Sequence, residues 1–76
     1  MDIAELCDRA RTEIDELGPE PADAHDRATW QTARYNAAVR LATLADNDGE
    51  LLRRAASSEW GSIAARELLF DAAQVP

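Results

Sequence analysis

The stretch ADAHDRATWQTARYNAAVRLATLADND, residues 22–48, constrains the fold of this chain more than any other feature. It predicts one helix from residue 22 or 23 to about Ala45, roughly 34 Å long at 1.5 Å per residue. Trp30, Ala33, Ala37, Leu41 and Leu44 project to one side of it. Ala24, Ala28, Tyr35, Val39 and Ala42 project nearly opposite, with Thr32, Asn36 and Thr43 along one seam between them. A helix that is apolar on opposite sides must be covered twice. Either the flanking segments sandwich this rod, making it the central helix of a bundle, or one of its faces meets a second protein.

The flanks are helical as well. Ile3, Leu6, Cys7, Ala10, Ile14 and Leu17 recur at steps of three and four and form one stripe. Asp2 is placed to cap that helix, with Glu5 three residues on. Gly18 and Pro19 end it, because Gly takes the left-handed conformation beyond a helix end and Pro cannot continue the helix. Residues 18–26, GPEPADAHD, then form a stiff connector. After the long helix, DNDGE marks a stop and a restart, with Asn47 as the expected N-cap and Glu50 as its capping-box partner.

From Glu50 to about Ala73 a continuous helix would gather Leu52, Ala55, Ala56, Trp60, Ile63, Phe70 and Ala73 on one side, with Leu51, Leu68 and Leu69 at the flanks. Glu59 falls inside that apolar stripe, where a straight helix does not want it. A break at Ser57 and Ser58, with Ser58 capping a fourth helix, relieves the conflict. The expected architecture is therefore all-α, a small three-helix bundle or four short helices with a break near Ser57–Gly61, in a single domain over residues 1–76.

Size and composition then bear on partners. A chain of 76 residues buries only about 60% of the surface of its unfolded form. Sixteen of its hydrophobic residues are alanine, so few large apolar side chains remain to stabilise a monomer. Oligomerisation or partner binding would remedy a thin core. The formal charge of −7 is uneven: residues 1–26 hold nine acids and two Arg, whereas residues 27–66 hold six Arg and four acids. That gradient reads either as complementarity between packed helices or as an acidic docking edge for a basic partner. Eight Arg, no Lys and abundant Ala fit a GC-rich genome. The acidic start, MDIAELCDRA, has no signal-peptide character, no apolar run is long enough to span a bilayer, and the one Cys suits a reducing compartment. A cytoplasmic protein is expected.

Several chemistries find no support. His25 is the sole histidine, and with one Cys it makes no zinc site of the usual type. Cys7 lies on the apolar face of the first helix, as a small buried hydrophobe. DNDGE resembles a piece of a calcium loop, but registering Gly49 at the sixth position puts Leu44 and Ala55 where ligands belong. No Gly-rich phosphate loop occurs. The turn SSEWGS invites comparison with a DNA-reading helix-turn-helix. With Gly61 at the turn, however, Ser57 takes the small position and Glu67 the buried branched one, and the reading helix offers only Arg66 to DNA. No enzyme, cofactor or metal is expected.

By elimination the sequence points to a non-enzymatic protein-binding module. It would be a regulatory, inhibitory or adaptor protein of the kind bacteria and phages use as accessories, acting through a helix face. The aromatics Trp30 and Tyr35, with Val39, Arg34 and Arg40, are the expected anchors on the long helix. Glu13, Glu16, Glu20 and Asp23 are the expected acidic edge toward a basic protein surface. The alternatives are a dimeric, helix-turn-helix-like regulator associated with nucleic acid, and a self-assembling structural subunit.

Overall fold

A computed structural model describes all residues, 1–76, and contains four helices and no strand. Helix α1 spans Ile3–Leu17, α2 Ala24–Leu44, α3 Gly49–Ser58 and α4 Ile63–Ala72. The chain is an all-α bundle, with the C-terminal region divided in two rather than running as one helix. No helix is long and apolar enough to cross a membrane.

Local chemistry sets the boundaries. Asp2 caps α1 by accepting from the Glu5 backbone N–H at 2.8 Å, as its position predicts. The α1 helix stops at Gly18, whose φ of +71° is a left-handed value and whose N–H donates to the Ile14 carbonyl. Asp23 caps α2 by accepting from the N–H groups of His25 and Asp26, which fixes the first residue at Ala24.

Two expected caps are displaced. Asn47 does not cap α3: Asp46 and Asn47 both take left-handed φ values, +53° and +59°, to turn the chain sharply. Asn and Asp tolerate that conformation better than other non-glycine residues, so the cap passes to Asp48, whose side chain accepts from the Leu51 N–H at 3.1 Å. Ser58 does not cap α4 either. It is the last residue of α3, with its hydroxyl donating back to the Arg54 carbonyl, and Ser62 caps α4 by accepting from the Ala65 N–H.

The core is one cluster of Leu6, Leu41, Leu52, Leu68 and Leu69 with Cys7 and nine alanines. The long α2 is not its centre. Helices α1 and α4 each pack against all three others, whereas α2 and α3 barely meet. Because α1 and α4 lie on the same side of α2, that helix has one buried face, running through Ala37, Ala38, Leu41, Ala42 and Ala45. The other expected apolar flank is mostly wetted: Ala24, Ala28 and Tyr35 are exposed, and only at its C-terminal end do Val39 and Ala42 turn inward. Alanines contribute little apolar area, so leaving them in water costs little. The Cα envelope is a slab of 36 × 27 × 15 Å.

Breaking the last helix also rotates its stripe. Leu68 and Leu69, expected at the flanks, are fully buried, whereas Trp60 and Ile63 are 81% and 79% exposed. Glu59, in the α3–α4 connection, is 1% exposed. Its Oε1 accepts from Arg11 Nη2 and from the Gly61 N–H, both at 2.7 Å. Its Oε2 stands 2.7 Å from Arg11 Nε but has no N–H aligned on it. Burial alone would raise the Glu59 pKa. The Arg11 hydrogen bond, the Gly61 and Ser62 backbone N–H groups and the Arg11 charge outweigh that effect and hold the carboxyl below its ordinary value. Within SSEWGS, residues 59–62 thus form a turn pinned to α1 by a buried carboxylate.

Candidate functional site

A depression lies where the end of α1, the middle of α2 and α4 meet. Trp30 is half-buried there, its indole Nε1–H donating to the Gly18 carbonyl at 3.0 Å. The glycine that ends α1 therefore also sets the orientation of the ring. One turn further along α2, Arg34 forms an ion pair with Asp71 of α4 that fastens the two helices. Tyr35, beside it, is 56% exposed.

These residues line an open groove of about 610 Å³, together with Gln74, Val75 and Pro76 of the C-terminal segment. A second hollow of about 480 Å³ adjoins it, its apolar lining supplied by the half-buried Ile14 and Leu17 with the exposed Pro19. The two share Glu20, Trp30, Arg34 and Glu67 and form one depression around the indole. Asp15, Glu20, Glu67 and Asp71 put four carboxylates on its rim against the single guanidinium of Arg34, which is already paired. An apolar floor, two aromatic walls and a negative rim suit a side chain with a flat or aliphatic stem and a cationic head.

Of the residues singled out in the sequence, Glu20, Trp30, Arg34 and Tyr35 come together in this depression. The other five do not line it. Glu13 is 7% exposed and accepts from Arg40 Nε at 2.7 Å, so this pair ties α1 to α2. Val39 is half-buried, Asp23 is occupied as the α2 cap, and Glu16 is exposed. Only the Arg40–Glu13 pair joins an acid of the N-terminal third to an arginine of the middle; Arg11 and Arg34 are bound to Glu59 and Asp71, both outside that third. Glu67 and Asp71 escaped the sequence reading. They belong to the outer side of α4, and nothing local in the chain announces that this side faces Trp30.

Other reactive groups stand apart. Cys7 is buried, and its thiol donates to the Ala55 carbonyl at 3.3 Å. Burial pushes that thiol up, the Glu59 charge adds to the rise, Arg11 opposes it, and Asp8 adds slightly more. His25 is exposed in the first turn of α2. No group of three or more His, Cys, Asp or Glu side chains is arranged to hold a metal ion. In comparisons with known proteins, the chain matches no family model, no curated protein and no solved structure.

Proposed function

We propose that the protein is a non-enzymatic binding module that docks on a basic segment of a partner protein through the Trp30–Tyr35 depression. The observation that carries this reading is the pairing of aromatic walls with unpaired carboxylates. Asp15, Glu20 and Glu67 have no cation within ion-pair distance, so they stand free on the rim of a concave surface. Trp and Tyr beside a concave floor are common anchors of binding energy, and surrounding charge steers the approach and choice of partner. Regulation or inhibition by occupying a basic site on a target follows from such a surface.

The test is affinity capture from the native host with the wild-type chain and with a Tyr35→Ala/Glu20→Arg variant, followed by mass spectrometry. The reading expects a partner with an Arg- or Lys-rich segment that the wild type retains and the variant loses. A partner held equally by both chains would place the binding surface elsewhere.

A further inference from the structure

Trp60 and Ile63 are the most exposed large apolar residues of the chain and line neither part of the Trp30 depression, which their surface meets at Glu67. Ile63 and Phe70 are seven residues apart, so on α4 they lie within about 20° of one line. Its Ile63 end faces away from the side that buries Ala65, Leu68, Leu69 and Ala72, while Phe70 is half-buried and packs against the core. Arg66 sits about 60° to one flank of the line and Glu67 about 40° to the other. The Arg66 guanidinium lies over the rings of Trp60 and Phe70, 5.2 and 5.8 Å from their centroids, and makes no ion pair within the chain. A guanidinium stacked by its face keeps its N–H edge available to a carboxylate.

We infer that this ridge is a self-association surface, covered by the α4 ridge of a second copy of the chain lying parallel to the first. Charge complementarity selects both the occupant and its orientation. Two copies related by a two-fold axis along α4 bring Ile63 against Ile63 and Phe70 against Phe70. The same operation sets the Arg66 flank of each copy beside the Glu67 flank of the other, giving two symmetry-equivalent ion pairs. An antiparallel arrangement sets Arg66 beside Arg66 and Glu67 beside Glu67, which like-charge repulsion disfavours. The proposal shares Glu67 with the groove reading but is tested on the purified chain, where no partner protein competes for that carboxylate.

The test is solution mass by sedimentation across a concentration series reaching the millimolar range, at a physiological ionic strength that screens the overall charge beyond about 8 Å. The wild type is expected to pass from monomer to dimer. Ile63→Asp is expected to remain monomeric with its melting temperature retained. Arg66→Glu and Glu67→Arg should each weaken dimerisation by about tenfold or more, and the Arg66→Glu/Glu67→Arg double variant should recover it. A wild type that stays monomeric throughout overturns the proposal. So does a dimer indifferent to Ile63→Asp, or a double variant no better than its single parents.

Discussion

Arg11 and Glu59, forty-eight residues apart, form the one ion pair in which a fully buried carboxylate meets an arginine that keeps nearly half of its side chain in water. The asymmetry decides what each deletion does. Glu59→Gln removes the charge but leaves an amide able to accept from the Gly61 N–H, and Arg11 then relaxes into solvent. Arg11→Met leaves a carboxylate buried with backbone donors alone, the more costly state. Thermal unfolding of the two variants should therefore show the larger drop for Arg11→Met. The reverse order would mean that the guanidinium contributes little to holding the turn.

Acid sensitivity follows from the same carboxylate. The Glu59 pKa lies below its ordinary 4.5 in the folded chain, so the unfolded chain takes up the proton more readily. Its contribution to stability is full above the unfolded-state value and drains away as the pH falls through the folded one. Urea midpoints of the wild type and of Glu59→Gln, measured from about pH 6 to about pH 3, should converge toward the acid end. A gap that is constant or widens on acidification contradicts the depressed pKa.

Gly18 combines φ of +71° with ψ of −176°, a backbone conformation that is essentially glycine's alone. A Cβ added there meets nothing within 4 Å, so Gly18→Ala isolates the backbone strain from any clash. The substitution should cost about 1–3 kcal/mol, which is about 4–8 °C in Tm for each kcal/mol in a domain of this size. Scanning calorimetry supplies the measurement, and an unchanged Tm would show that the connector finds another path.

Leu41 and Tyr35 separate the two sides of α2. Leu41 is fully buried, so Leu41→Ala should cost about 2–5 kcal/mol, and Leu41→Asp should abolish folding by burying an unpaired charge. Tyr35 is exposed, so Tyr35→Ala should change stability by no more than about 0.5 kcal/mol while weakening partner capture. Equal losses of Tm for Leu41→Ala and Tyr35→Ala would remove the distinction.

What the sequence disclosed and what it hid divide along the range of the interactions. The stripe of α1, the Asp2 cap and the Gly18 stop are local signals, and each appears where residue spacing places it. The coverage of α2 was misjudged because its second flank is mostly alanine: periodicity marks alanines as apolar, but their small area leaves the choice of face to whichever helices arrive. Glu59 was the most instructive residue. Its conflict with the stripe correctly signalled a break, yet its partner lies at Arg11, and no local pattern foretells that the acid goes inside while Trp60 and Ile63 go out. In the depression, Glu20, Trp30, Arg34 and Tyr35 were legible as neighbours within a short span. Glu67 and Asp71 depend on how α4 docks.

The ring-free interior has an optical consequence. With no aromatic ring among the fully buried residues and Trp60 in solvent, indole emission will report unfolding mainly through the half-buried Trp30. It will respond strongly to anything that settles over either ring. The molecule thus carries two native reporters of occupancy, one at each proposed contact, and replacing either tryptophan with phenylalanine assigns a spectral change to the other surface.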